Sequence, residues 1–230
     1  MCKVPPIEIA GRTVSDPLGV VADYCRRHAD TLRRYDWLAG TTDTLTAEQV
    51  AATRRVNSRI SRAEERWLLD QAVDASWAKV SAKALLRDAN PLVRGGLYDD
   101  ADALYRHFHR ARPTGVNHAK ISKCLYLMRP GLIPVLDSRL LRLYGEPARA
   151  AARDLTGTYR RAYWAAIRND LLRNGDAWDL LRARMRCVDP DGGIVAEAAD
   201  RLSDLRLLDI LAWRMAATHH PDGPGQSKSA

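Results

Sequence analysis

Three ionisable side chains suited to catalysis fall in one stretch, GVNHAKISKCLYLMRPGLIPVLDSRLLRLYG, which runs from Gly115 to Gly145. Asp137 supplies a carboxylate, and Lys120 and Lys123 supply amines. A fixed carboxylate can stabilise a developing positive charge or accept a proton, and an amine can attack an electrophilic carbon. The stretch therefore holds the groups for acid–base or nucleophilic chemistry if the fold brings them to one space.

The two lysines belong to a predicted helix from about Asn117 to Met128. At roughly 100° per residue, Lys123 points away from the apolar face into solvent, where it would meet a phosphate. Lys120 lies at the edge of the apolar face, so its side chain can reach into a cleft that the core borders. The two lysines are therefore not equivalent, because only Lys120 can reach such a cleft. The apolar face consists of Ile121, Cys124, Leu125 and Met128.

A glycine-containing turn, RPTGVN, precedes this helix. Gly115 tolerates a positive φ, so the turn can present backbone N–H groups at the start of the helix. These donors and the helix dipole favour an anion such as a DNA phosphate, which predicts binding at Gly115, Val116, Asn117 and His118. An ordinary helical hairpin without a ligand is the alternative interpretation.

Asp137 precedes a short predicted helix in PVLDSRLLRLYG, so its default role is that of an N-cap. Capping is compatible with catalysis, because N–H bonds to a carboxylate favour its ionised form. An ionised carboxylate near an anion-binding turn can stabilise a positively charged sugar or accept a proton from a nucleophile. Arg139, two residues later, is predicted to help hold a backbone phosphate.

Other polar residues occupy unusual places in the sequence. Asp209 lies within the apolar segment LLDILAW, where a carboxylate needs an arginine partner or a shifted pKa, and lining a pocket is the alternative. Asn57 and Arg59 lie at a helix break in VNSRIS. A helix-end turn that uses Asn57 is one interpretation, and a pocket in which Arg59 and Arg62 face a ligand phosphate is the other.

The charge balance favours an anionic partner. The formal net charge is +8, and from Arg139 to Arg186 the chain has eleven arginines against five acids. Arg161 and Arg168 share a helix face beside aromatic side chains, as on a nucleic-acid surface. The alternatives are a solvated face over an aromatic core and a charge that only reflects coding bias. Nucleic acid is therefore the predicted partner, with DNA favoured over RNA.

The elements that must position these groups are helical. Hydrophobic residues make up 46% of the 230 residues and recur with helical periodicity. The prediction is an all-α, multi-helix globule of nine or ten helices, with LIPVL as a connector. We expect residues 1–218 to form one domain, which could consist of two lobes that meet near residues 89–98. Residues 219–230 are predicted to form a disordered tail. Helix starts are predicted at Asp16, Thr46 and Ser61, and a further helix from about Ser76 to Arg87.

No cofactor or metal is predicted. Cys2, Cys25, Cys124 and Cys187 form no CxxC pair and match no zinc-binding spacing, so they read as reduced thiols of a cytoplasmic protein. The sequence has no run of about 18 apolar residues and no signal-peptide pattern, which predicts no membrane association.

The segment TGVNHAKISKCLYLM…IPVLDSRL resembles the helix-hairpin-helix DNA glycosylase superfamily. That superfamily has a glycine-rich hairpin, an apolar helix, a loop and a P-V-D segment that carries an essential aspartate. The resemblance implies that Asp137 is the catalytic carboxylate and that Lys120 is the amine that attacks the sugar in members that also cut the strand. The sequence departs from the pattern at Asn117, where the superfamily has glycine, and by one extra residue, Leu136. The extra residue makes Lys123 a competing candidate for the amine, although its outward angle disfavours it.

A second likeness covers more of the chain. The segments RRVNSRISRAEERWLL, SKCLYLMRPGLIPVLDSRLLRLYG and LSDLRLLDILAW are similar to those of an uncharacterised family of small helical bacterial proteins. This likeness supports the all-helical fold and implies no activity.

Three functions compete. The first is a DNA glycosylase-like base-excision enzyme that flips a base into a cleft and acts through Asp137 and Lys120. The second is a non-catalytic nucleic-acid-binding module. The third is a helical protein that binds another protein or a small ligand. We expect the first.

Overall fold

The computed structural model describes residues 3–155 and 159–218. Within these ranges the chain forms twelve α-helices and one two-stranded antiparallel sheet, which confirms the all-α class. The strands are β1 (Ile7–Ile9) and β2 (Arg12–Val14). The helices are α1 (Pro17–Arg27), α2 (Ala29–Arg34), α3 (Ala47–Ala52), α4 (Arg62–Val73), α5 (Leu97–Arg110), α6 (His118–Met128), α7 (Ser138–Leu143), α8 (Gly145–Ala152), α9 (Tyr159–Arg173), α10 (Gly175–Val188), α11 (Ile194–Arg201) and α12 (Asp204–Thr218).

The predicted helix starts are confirmed. Asp16 caps α1, where its side chain accepts a hydrogen bond from the N–H of Gly19 at 3.0 Å, and Pro17 is the first helical residue. Thr46 and Ser61 each form a complete capping box at the starts of α3 and α4. These contacts are local, so the sequence alone specifies them.

The helix predicted from Ser76 to Arg87 is wrong. This segment forms two short 3₁₀ turns, Trp77–Lys79 and Leu86–Asp88. The Arg129 guanidinium accounts for part of the difference, because it donates hydrogen bonds to the carbonyls of Trp77 and Val80, which a continuous helix would use itself. The short sheet was also not predicted, since three-residue strands are too short to give an alternating pattern.

A continuous hydrophobic cluster includes buried residues from Val4 to Ala212 and draws on both sides of the 89–98 segment. The lobe boundary near 89–98 stays a prediction, and the tail at 219–230 lies outside the described residues. In the described part of the chain, no helix is both long and apolar enough to cross a membrane. Cys25 and Cys124 are buried and Cys187 is exposed, and all three are free thiols, whereas Cys2 is outside the described ranges.

Candidate functional site

A cavity of about 240 Å³ opens beside Asp137. Its walls come from α1 and α2, the 3₁₀ turn Thr53–Val56, α6, the start of α7, and α12. Five of its lining residues were predicted from the sequence as site residues: Asn57, Lys123, Asp137, Arg139 and Asp209.

Asp137 is the N-cap of α7, as predicted. Its Oδ1 accepts hydrogen bonds from the backbone N–H groups of Arg139 at 2.9 Å and Leu140 at 3.0 Å. The side chain is partly exposed and lines the cavity. The cap therefore fixes a carboxylate at the cavity wall through one oxygen.

The prediction that Lys123 points into solvent is wrong. Its side chain is buried, and its Nζ donates a hydrogen bond to the carbonyl of Val56 at 2.6 Å. Every residue of α6 from Ile121 to Met128 is buried, because a second hydrophobic cluster covers the face opposite the main core. That cluster contains Tyr35, Tyr126, Leu127 and Val135. The helix therefore has two buried faces, and Lys123 extends from the second one to the cavity.

Burial lowers the pKa of Lys123, because the cavity wall favours the uncharged amine. The negative charges of Asp137 and Asp209 act in the opposite direction and raise it. Lys123 is therefore an amine with a reduced pKa beside two carboxylates.

Lys120 does not line this cavity. Its Nζ lies 2.6 Å from Oε1 of Glu64 in a largely buried ion pair. Glu64 also accepts a hydrogen bond from the backbone N–H of Ser61 through Oε2, as part of the α4 capping box. Lys120 therefore does not share a cleft with Asp137, as was expected. It instead joins α6 to α4 through Glu64.

The turn before α6 has the predicted backbone but an unexpected neighbour. Gly115 has a φ of 101°, and a Cβ at this position would lie 2.8 Å from Oε1 of Glu64. Val116 is buried, Asn117 caps α6, and the His118 ring stacks on His109. The carboxylate beside the turn is the one paired with Lys120, and the anion site at Gly115–His118 stays a prediction.

A buried ion-pair network centred on Arg206 adjoins the cavity, which Arg206 and Asp209 both line. The Arg206 Nε lies 2.7 Å from Oδ1 of Asp36, and its Nη1 pairs with Oδ2 of Asp209. The Tyr126 hydroxyl donates to Asp36 at 2.8 Å. The arginine partner predicted for Asp209 is therefore present, and Asp209 also lines the cavity.

Burial raises the pKa of Asp209 to about 7. The Arg206 charge lowers this pKa, whereas the charges of Asp137 and Asp36 raise it. Two anionic carboxylates share one guanidinium in this network, so a proton on Asp209 relieves a local excess of negative charge. The cavity thus has one carboxylate at a helix start and a second that retains a proton near neutral pH.

Aromatic rings form one side of the cavity. The Tyr24 and His28 ring centroids lie 4.6 Å apart, and both rings meet Trp213 edge to face. The Arg139 guanidinium carbon lies 4.8 Å from the centroid of the Trp213 ring. Four further lining residues were not predicted from the sequence to belong to a site: Tyr24, His28, Arg206 and Trp213. Only Arg206 had a local signal, its position three residues before Asp209.

Asn57 ends its 3₁₀ turn in the left-handed region, with φ 60° and ψ 37°, which confirms the predicted helix-end turn. It also lines the cavity, whereas Arg59 lies outside it.

Arg161 and Arg168 contact the protein itself. Arg161 pairs with Asp99 and lies 5.5 Å from the Tyr98 ring, and the Arg168 Nε donates to the carbonyl of Arg87 at 3.1 Å. The neighbouring residues Tyr163, Trp164 and Ile167 are buried. These contacts favour the interpretation of this helix as a polar face over an aromatic core.

Among the described residues, no group of three or more His, Cys, Asp or Glu side chains could hold a metal ion. A family model described as a family of unknown function, DUF6308, matches residues 18–216. The chain therefore belongs to this family, which confirms the likeness to an uncharacterised family. Neither the curated proteins nor the solved structures include a match.

Proposed function

We propose that this member of the DUF6308 family binds nucleic acid, takes one nucleotide into the cavity beside Asp137, and cleaves the bond between the base and the sugar. The observation that carries the proposal is the position of Asp137. A carboxylate fixed by two backbone N–H groups opens onto a cavity with aromatic and cationic walls.

The size and lining of the cavity suit a flipped base. Its volume of about 240 Å³ is below the roughly 300–1,000 Å³ of sites for drug-sized ligands, so it suits a compact ring system. The rings of Tyr24, His28 and Trp213 line one side of the cavity, where the edge of a base would contact them. Arg139 also lines the cavity, and its charge favours the phosphate of the same nucleotide, whereas Arg55 is already paired with Asp30.

The two carboxylates have complementary roles in the proposed reaction. The bond between C1′ and the base nitrogen breaks, and its electron pair leaves with the base. Asp209 gives its proton to the departing base, while the ionised Asp137 stabilises the positive charge on the sugar. Water then adds to C1′, its proton passes to Asp137 and on to solvent, and Asp209 takes up a proton from solvent. The products are the free base and a sugar with a hydroxyl at C1′.

Lys123 replaces Lys120 as the amine of the proposed site. It lines the cavity with Asp137, and burial lowers its pKa, which increases the fraction of nucleophilic free amine at neutral pH. Attack of this amine on C1′ in place of water would form a C–N bond as the base leaves. Loss of the amine protons through Asp137 and breakage of the C1′–O4′ bond, with a proton taken up by O4′, would then give a covalent Schiff base with the DNA.

Base release from oligonucleotides that each carry one altered or mismatched base tests the proposal. We expect the wild-type protein to release base from at least one substrate and the Asp137→Asn variant to release none. Binding that weakens with salt, without base release from any substrate, would contradict the enzymatic proposal.

A non-catalytic nucleotide-binding protein is the second candidate. The ion pair between Glu64 and Lys120 favours it, because it occupies the amine that the resemblance to a base-excision enzyme assigns to chemistry on DNA. Calorimetry with free nucleotides distinguishes this candidate, since it predicts binding of a mononucleotide that Asp137→Asn does not abolish.

A further inference from the structure

A second depression adjoins the cavity. It has a volume of about 760 Å³ and lies along the segment from the end of the 3₁₀ turn Thr53–Val56 to the start of α4. Asn57 lines both this depression and the cavity, so the two are neighbours on the surface. The other lining residues are Arg54, Ser58, Arg59, Ile60 and Ser61. We call this surface the 54–61 depression.

The 54–61 depression has uncompensated positive charge. Arg54 and Arg59 are exposed, and neither forms an ion pair with any residue in the described ranges. The intervening Arg55, in contrast, pairs with Asp30 at 2.8 Å. Within the described part of the chain, no acidic side chain lines the depression. The two guanidinium groups are therefore available to an external anion.

The hydroxyl of Ser58 is a second, independent indication of a ligand. Ser58 is only 3% exposed, and its Oγ has no hydrogen-bond partner in the described part of the protein. A buried hydroxyl without a partner is unfavourable and uncommon in folded proteins. Rotation of the Ser58 side chain into the depression would let an oxygen of a ligand there supply the missing partner.

We propose that the 54–61 depression binds the phosphodiester backbone of a nucleic acid strand next to the nucleotide that enters the cavity. Arg54 and Arg59 would contact phosphate oxygens, and Ser58 would donate a hydrogen bond to one of them. Asn57 would lie between the bound nucleotide and its neighbour in the strand. The proposal rests on the proposed function for the identity of the partner.

A strand explains the arrangement better than a free phosphate does. The two arginines are five positions apart in sequence and are separated by a buried serine, so they form an extended surface and not a single enclosed site. The depression also continues into the cavity at Asn57. An extended polyanion would contact both regions at once.

The test compares Arg54→Gln/Arg59→Gln with a control pair, Arg12→Gln/Arg94→Gln. All four arginines are exposed, and the control pair lines neither surface. We measure the affinity for a fluorescent single-stranded oligonucleotide at several salt concentrations. The first pair should weaken binding at least tenfold at low salt and reduce the salt slope by about 0.7 for each lost phosphate contact. The control pair should retain most of the affinity and the slope.

Ser58→Ala separates binding from folding. Removal of an unpaired buried hydroxyl should leave the melting temperature unchanged or raised, while the affinity for the oligonucleotide falls severalfold. If Ser58→Ala instead lowers the melting temperature and leaves the affinity unchanged, the hydroxyl has no role in binding and the proposal loses that support.

The outcomes distinguish this proposal from the proposed function. If both double variants retain the full wild-type affinity, the proposed role of the 54–61 depression is overturned. The proposal for the cavity is then unaffected. Arg54→Gln/Arg59→Gln could lose oligonucleotide binding while the wild-type protein releases no base from any substrate. This result would support the proposed role of the 54–61 depression and contradict the proposed base excision. An equal loss of affinity for inorganic phosphate and for the oligonucleotide would show a free-anion site and overturn the backbone proposal.

Discussion

Lys123 and Asp137 line the same cavity, and the charge of Asp137 counteracts the burial that lowers the pKa of Lys123. Fourteen positions separate the two residues in the sequence, and the connector between α6 and α7 brings them together.

Asp137 has a structural role and a proposed chemical one, and two substitutions separate them. Asn caps helices about as well as Asp, so Asp137→Asn should change the free energy of unfolding little. Asp137→Ala should lower it by about 1 kcal/mol. Both variants should lose base release at least a hundredfold, because each removes the charge that stabilises the sugar cation. Chemical denaturation and the base-release assay measure the two effects.

Lys123 is predicted to be the amine that attacks the sugar. Borohydride should trap the wild-type protein and Lys120→Gln on DNA, whereas Lys123→Gln should give no adduct. Lys120→Gln serves as the matched control, since Lys120 lies on the same helix and outside the cavity. Trapping that survives Lys123→Gln and disappears in Lys120→Gln would reverse the assignment.

The protonated form of Asp209 is the active one in the proposed reaction. Base release by the wild-type protein should therefore fall as the pH rises through about 7, since Asp209 then loses its proton. Asp209→Asn should lose most of the rate and this dependence on pH. Asp36→Asn disturbs the same arginine without touching the cavity, and should keep the fall but shift it to lower pH, because one negative neighbour is gone. Rate profiles of the three proteins from pH 5 to pH 9 are the measurement.

The same carboxylate should affect stability. The folded protein holds the Asp209 proton up to about pH 7, whereas an unfolded chain releases it near pH 4. The folded state therefore binds more protons in this interval, and the contribution of Asp209 to the free energy of unfolding decreases as the pH rises from 4 to 7. Asp209→Asn should remove this decrease, as urea titrations at several pH values would show. An unchanged pH dependence in the variant would contradict the raised pKa.

The Glu64–Lys120 ion pair should stabilise the fold and contribute nothing to chemistry. Burial opposes ionisation of Glu64, but hydrogen bonds from Lys120 and Ser61 outweigh it and hold the pKa of Glu64 below its ordinary value. Its stabilising contribution is therefore present at neutral pH and lost in acid. Glu64→Gln should lower the free energy of unfolding by about 1–3 kcal/mol at pH 7. The loss should be smaller in a Lys120→Met background, as a double-mutant cycle would measure.

The helical class, the helix starts and the cap at Asp137 could be predicted because each depends on residues within about four positions of one another. The arginine partner of Asp209 was predictable for the same reason, since the two residues lie one helical turn apart. Such contacts need no information about the rest of the fold.

The choice of lysine was different, because it depended on which faces of α6 the protein covers. The sequence determined one apolar face and so placed Lys123 in water. The tertiary structure packs Tyr35 and Val135 on the other face, brings Glu64 from α4 to Lys120, and aims Lys123 at the cavity. Burial on two sides of a helix is set by segments distant in sequence, and for that reason only the tertiary structure decided which amine joins Asp137.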